Sequence, residues 1–390
     1  MNPSSSGWIK KLLQEVKHTN SFLNLEDDAF YKAIRSSGFI YGSNVNIINN
    51  TFEKSDYSED EICKINLLII FLYNHSNSNS QESFINSVIN FYTAINEIKI
   101  SFLSGILGDK KSEEQLERII HKRIQIDDNL FTKNFNYFLI NALLYIDVLG
   151  YQYFLKNKTI SEFYIKNLES SIEAISLNVL NSKSDKNKYD NSLIKLFEAS
   201  LRFQKNKQID YNTAINYINT TQEKQYILDI ACMTTWSDRV IDINEQRFLK
   251  KLGNDLVLNT KTINKSISTV NTFYTTNKDN IALLSSKNIV KSFYNNSSKM
   301  VTKLITRNSK YLYQELKDSK ELMVLISQST VRDLTDDESK KVQEQLLDIF
   351  KSIPSLAIFL LPGGTFLLPL VVKFIPKLLP SAFDKNRIDK

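Results

Sequence analysis

Residues 353–383 read Ile-Pro-Ser-Leu-Ala-Ile-Phe-Leu-Leu-Pro-Gly-Gly-Thr-Phe-Leu-Leu-Pro-Leu-Val-Val-Lys-Phe-Ile-Pro-Lys-Leu-Leu-Pro-Ser-Ala-Phe. Five of the six prolines of the chain lie in this tract: Pro354, Pro362, Pro369, Pro376 and Pro380, with Pro3 as the sixth. Residues 4–353 therefore contain no proline. A run of that length without the main helix breaker predicts stacked helices. The whole chain of 390 residues holds only 9 Gly and 6 Pro, which excludes turn-dense sandwiches and barrels as well as collagen-like chains. The expected class is all-α: a multi-helix soluble body followed by a C-terminal apolar segment broken by Pro and Gly.

The remaining composition is that of a chain able to bury a core, with 42% hydrophobic and 24% charged residues. A net charge of +6 is too small to imply nucleic-acid binding, and no specific DNA partner is expected. Cys63 and Cys232 form neither a CxxC nor a disulfide framework, so a reducing, cytoplasmic setting is expected for the body. Residues 1–16 lack an unbroken apolar core and do not read as a signal peptide.

Helices announce themselves along the body. Ser58-Glu59-Asp60-Glu61 is a capping box ahead of the apolar run 62–73, and Asn74 to Ser83 breaks it. Phe84, Val88, Phe91 and Ile95 recur at helical spacing, as do Leu116, Ile119, Ile120 and Ile124 after Ser112. Residues 135–155 resemble a membrane span, but Asn136, Asn141, Asp147 and Gln152 point to a buried core helix. The Asn/Lys/Ser-rich stretches 181–191 and 259–268 read as loops or domain edges. Thr335-Asp336-Asp337-Glu338 opens another helix, whose inner face is Val342, Leu346, Ile349 or Phe350, and Ile353.

No catalytic pattern emerges. His18, His75 and His121 have no zinc-binding spacing, Gly105-x-x-Gly108-x-Lys110 is not a phosphate loop, and GxGxxG and GxSxG are absent from the sequence. Neither an enzyme nor an organic cofactor is expected. One acidic turn stands out: Asp238, Asp242 and Glu245 supply oxygen ligands for a divalent metal, although the positions do not fit an EF-hand loop. Asp242-x-x-Glu245 also reads as a capping box, with Ile241 as a staple.

Between Lys287 and Lys320 eight basic residues face Glu315 and Asp318, and Lys299, Lys303, Arg307 and Lys310 share one helical face. Such a stripe is either a solvated face or a lipid- or RNA-facing surface; basic clusters near a membrane attract anionic headgroups. The twenty residues 353–372 carry no charge and match the thickness of a bilayer core, with Lys351, Lys373 and Lys377 placed to snorkel. A kinked span, a re-entrant hairpin hinged at Pro362-Gly363-Gly364 and a helical hairpin buried in protein all fit this pattern.

Two resemblances follow. The turn at Asp238, Ile241 and Glu245 resembles that of the tellurite-resistance-B-like (TerB-like) helical domains, with Arg239 in place of their Gly. Ile353-Pro354, Leu361-Pro362, Phe366-Leu367-Leu368-Pro369, Lys373, Pro376 and Leu379-Pro380-Ser381-x-Phe383 resemble the leucine-zipper/EF-hand transmembrane (LETM) family, over about Lys299 to Phe383. The combined plan is similar to the LETM-related biofilm-associated bacterial proteins. The LETM resemblance implies one inner-membrane segment, potassium or calcium exchange against protons, and a ribosome-binding-like domain beyond the span. Thr365 stands where the family usually has Glu, and Gly363-Gly364 where it has bulky residues. Only ten residues follow Pro380, so that further domain is expected to be missing. The expected organisation is a helical region over 1–205, a TerB-like region over 206–285, basic amphipathic helices over 286–352 and a membrane segment over 353–383. Membrane lipids, the ribosome or a protein are the expected partners, with the body on the cytoplasmic side of a bacterial inner membrane.

Overall fold

Ser58 begins the first central helix in the way its sequence dictates. In a computed structural model of the chain, Ser58 Oγ accepts from the Glu61 amide at 3.3 Å, and Glu61 Oε2 accepts from the Ser58 amide at 2.8 Å. The structure describes residues 1–52, 57–95, 112–124, 133–182, 208–235, 243–277, 301–302, 305–353, 356 and 368–378. Among the described residues all regular structure is helical. The chain divides into two compact units, Met1–Ile126 with Phe135–Leu284, and Asp127–Asn134 with Ser285–Lys390.

In the first unit the described helices are α1 (Trp8–Val16), α2 (Asp27–Ser37), α3 (Glu59–Ser76), α4 (Phe84–Ala94), α5 (Ser112–Ile124), α6 (Lys133–Asn157), α7 (Glu162–Ser182), α8 (Tyr211–Asn216), α9 (Thr221–Thr235), α10 (Ile243–Asp255) and α11 (Thr260–Asn277). Every residue of α3 from Ile62 to Tyr73 is buried, as is every residue of α6 from Asn141 to Leu149. Helices apolar on all sides belong inside a bundle. The polar residues of α6 find partners within the protein, which is why it forms a core element: Tyr92 Oη and Arg123 Nε donate to Asp147 Oδ2, and Gln152 Nε2 donates to Asn74 Oδ1. Helix α1 is anchored from a distance. Glu117 on α5 accepts from the amides of Gly7 and Ile9, satisfying donors that a helix N-terminus leaves open.

Helix α9 packs against α7, α10 and α11. Its start is a capping box: Glu223 Oε2 accepts from the Thr220 amide at 2.8 Å and Thr220 Oγ1 from the Glu223 amide at 3.2 Å. Of residues 259–268, expected as a loop or a domain edge, 260–268 form the first turns of α11. Asn259 Oδ1 caps it by accepting from the Thr262 amide at 2.8 Å, and the buried side is Ile263, Ser266, Val270, Phe273 and Tyr274. A serine at one core position and threonines around it hide the helical period from a hydropathy reading.

The second unit has its own hydrophobic core. Its helices are α12 (Ser309–Asp318), α13 (Lys320–Gln328), α14 (Asp336–Ser352) and α15 (Leu368–Leu378). Helix α14 carries the expected box, with Thr335 Oγ1 accepting from the Glu338 amide and Glu338 Oε2 from the Thr335 amide. Val342, Leu346 and Phe350 are its fully buried face, and Ile353 follows as a buried cap.

Helix α15 falls within the expected membrane segment, of which residues 354–355, 357–367 and 379–383 lie outside the described residues. It has 11 residues, so it spans roughly 16 Å, about half of a hydrocarbon core. Leu368, Val371 and Ile375 have no exposed surface and belong to the same core as Leu346 and Phe350. Pro369 stands in the first turn, where its missing amide costs nothing, and Pro376 lies in the last turn. No described helix is long and apolar enough to cross a membrane.

Candidate functional site

The C-terminal half of the second unit is built by two apolar stripes meeting. Leu368, Val371 and Ile375 recur at spacings of 3 and 4 and so form one side of α15, which packs against α13. Helix α13 in turn packs against α14. Polar contacts tie these helices at their exposed edge: Lys341 Nζ pairs with Glu321 Oε1 at 2.5 Å, and Ser319 Oγ donates to Gln345 Oε1 at 3.2 Å. Arg332 forks onto Glu338, with Nη1 to Oε2 and Nη2 to Oε1 each at 2.7 Å. That fork holds the Glu338 carboxyl down at about 2, and the Thr335 amide adds to the effect.

Several residues singled out in the sequence lie outside the described residues: Lys299, Lys303, Pro354, Pro362, Gly363, Gly364, Thr365 and Pro380. Of the basic stripe, Arg307 is half-buried and Lys310 is exposed. Pro369, Lys373 and Pro376 fall on α15. Of the acidic turn, Asp238 and Asp242 are outside the described residues, and Glu245 is fully buried in the first turn of α10. Among the described residues no group of three or more His, Cys, Asp or Glu side chains is placed to hold a metal ion.

The first unit contains a polar constellation that the sequence reading missed. Arg35 on α2 donates from Nε to Asp229 Oδ2 and from Nη2 to Asp229 Oδ1, each at 2.8 Å. Asp229 on α9 also accepts from Tyr31 Oη at 2.7 Å, and Arg35 Nη2 donates to Ser266 Oγ on α11. Both charged side chains are buried. Burial alone pushes the Arg35 guanidinium down, and Asp229 beside it more than reverses this, so the arginine stays charged. Burial together with the Asp229 charge pushes the Tyr31 phenol well up, which keeps it a donor. The two thiols sit in the same interior, and burial pushes both Cys63 and Cys232 well above the ordinary thiol range. The signal for one half of this constellation was present: Asp229 is a lone charge in the apolar run Ile227-Leu228-Asp229-Ile230-Ala231, and such a charge must find a partner when buried.

Residues 334–390 match the family model described as LETM1-like, RBD. The matched region begins at the Thr335 box, takes in α14 and α15, and includes the whole proline-spaced tract. The C-terminal region is thus LETM1-like. The RBD model falls on the tract read as the membrane segment, not on a domain beyond it. No curated protein and no solved structure matches the chain.

Proposed function

We propose that the chain is a membrane-associated helical protein of LETM-like type. Its first unit is the cytoplasmic body, and residues 353–383 provide attachment to a bacterial inner membrane. The carrying observation is the LETM1-like match over residues 334–390, which coincides with twenty uncharged residues flanked by Lys351 and Lys373. Such a tract favours an apolar surrounding, and the lysines favour the headgroup level. The basic residues from Lys287 to Lys320 add attraction to anionic lipid. The role proposed is adaptor-like binding rather than catalysis. Carbonate extraction of membranes from cells expressing the full chain tests this. Retention in the pellet is expected, with loss in a chain ending at residue 352; recovery of the full chain in the soluble fraction overturns it.

A second reading is ribosome association, favoured by the description of the matching family. Co-sedimentation with purified ribosomes over a salt series tests it. Binding that weakens steeply with salt, and more weakly so after Lys299, Lys303, Arg307 and Lys310 are changed to Gln, is expected. Absence of the protein from the ribosome pellet at low salt sinks this reading and leaves the membrane reading intact.

A further inference from the structure

A cleft of about 390 Å³ opens in the first unit beside α2 and α11. That volume lies in the range of small-molecule sites. Among the described residues its lining includes Arg35, Ser36, Asn46, Thr269, Thr272 and Thr276, and none of the described lining residues is a carboxylate. Thr269, Thr272 and Thr276 recur at spacings of 3 and 4, so they share one side of α11, and exposed Lys265 continues that side one turn earlier. Exposed Lys32 stands one turn before Ser36 on α2.

Arg35 has only 2% of its surface exposed. Its Nε and Nη2 are committed to Asp229 and Ser266. The Nη1 edge has no described hydrogen bond and belongs to a side chain that lines the cleft. Asp229, steadied by Tyr31, fixes the guanidinium plane, so a ligand that reaches this edge meets a side chain with little freedom left to lose. The threonines are a second anomaly. Exposed helix positions normally carry stronger helix formers, and three Thr on one side supply hydroxyl donors instead. An apolar ligand would leave these hydroxyls and the guanidinium edge unpaired, which is costly, whereas a group rich in acceptor oxygens satisfies them.

We propose that this cleft binds a phosphate monoester. Arg35 Nη1 takes one phosphate oxygen at the floor, the hydroxyls of Thr269, Thr272 and Thr276 donate to the others, and Lys32 and Lys265 draw the anion in. The ester group occupies the remainder of the cleft. The phosphate is either that of a soluble metabolite-sized ester or that of a lipid headgroup, and the experiment separates the two.

The full-length chain is titrated calorimetrically with inorganic phosphate and glycerol 3-phosphate, and in parallel with phosphatidylcholine vesicles with and without phosphatidic acid. Thr272→Glu places a carboxylate at the mouth on an exposed position and so leaves the fold intact, which the thermal midpoint verifies. Saturable binding of either phosphate ester is expected, weakened about tenfold or more by Thr272→Glu. The neutral pair Thr272→Val with Thr276→Val should weaken it in the same direction. Binding by the soluble esters identifies a soluble ligand; binding confined to phosphatidic-acid vesicles, and lost in Thr272→Glu, identifies a lipid headgroup. No binding in either arm, or binding that Thr272→Glu leaves unchanged, overturns the proposal.

Discussion

Asp229→Asn removes one charge from the interior of the first unit and almost no volume. The wild-type carboxylate has no exposed surface and accepts three hydrogen bonds, two from Arg35 and one from Tyr31. The substituted amide offers one acceptor oxygen, so in either orientation its NH2 group faces one of the two Arg35 nitrogens, which can only donate. Arg35, 2% exposed, is left with a buried and uncompensated charge. Removing one partner of a buried ion pair costs about 3–5 kcal/mol, a large share of the 5–15 kcal/mol typical of a domain. For a unit of this size each kcal/mol moves the thermal midpoint by about 2–4 °C, so the transition of the first unit should fall by roughly 6–20 °C. Circular dichroism melts at neutral pH read this directly. The paired change Arg35→Met with Asp229→Leu provides the control, because replacing both charges by apolar side chains is often near neutral. It should recover most of the loss. A midpoint shift below about 2 °C for Asp229→Asn would refute the claim that this pair is a buried, tightly coupled element.

Three further outcomes are expected. Gly38→Ala should destabilise the first unit by about 2 kcal/mol or more, from strain at positive φ and a clash: φ is 82°, and the added Cβ would lie 1.9 Å from the Ser43 carbonyl oxygen. Urea midpoints unchanged from wild type would contradict it. In the second unit the Glu338 carboxyl, held at about 2 by the Arg332 fork, lies below its unfolded value. Its contribution is therefore complete above about pH 5 and lost as pH falls towards 2. Urea unfolding from pH 6 to pH 3 should show that loss, and Arg332→Met should flatten it; equal pH slopes in the two proteins would count against the assignment. Cys63 and Cys232 should be inert to an aromatic disulfide reagent at pH 8, because both are buried with raised thiol pKa values, and both should react once the chain is unfolded. Rapid labelling of the native protein would show that the interior opens.

Helix starts were legible where two side chains announce them within four residues. Ser58 with Glu61, and Thr335 with Glu338, bond as their spacing predicts. Thr220 with Glu223 carries the same pattern and was readable in principle. The buried side of α14 was equally legible, because Val342, Leu346 and Phe350 are apolar at helical spacing. Helix α11 was not, since Thr and Ser dilute its period and only the packing of Ile263, Val270 and Phe273 fixes which side faces inward. The Arg35–Asp229 pair was illegible for another reason. Its members are 194 positions apart, and no local pattern links them. A single sequence shows that a charge in an apolar run needs a partner, but the fold alone decides which one it gets.

The C-terminal tract shows the limit of hydropathy as an argument about surroundings. Burial in lipid and burial in protein both remove apolar side chains from water, and they reward the same residues. What separates them is whether the rest of the chain supplies a complementary face. Here it does for the described part: Leu322, Met323 and Ile326 of α13 and Leu346 and Phe350 of α14 are buried in the same core as Leu368, Val371 and Ile375. That core exists because α13 and α14 are amphipathic, with Lys341 and Glu321 paired at their exposed edge. If lipid were the sole destination of the tract, these inward faces would have no third layer to bury them. Leu346→Glu separates the outcomes, because it damages the protein-facing alternative without altering the tract itself. Under the membrane reading, carbonate-resistant recovery of Leu346→Glu should equal or exceed that of the wild type; a drop in recovery of full-length chain would mean that attachment depends on the folded second unit.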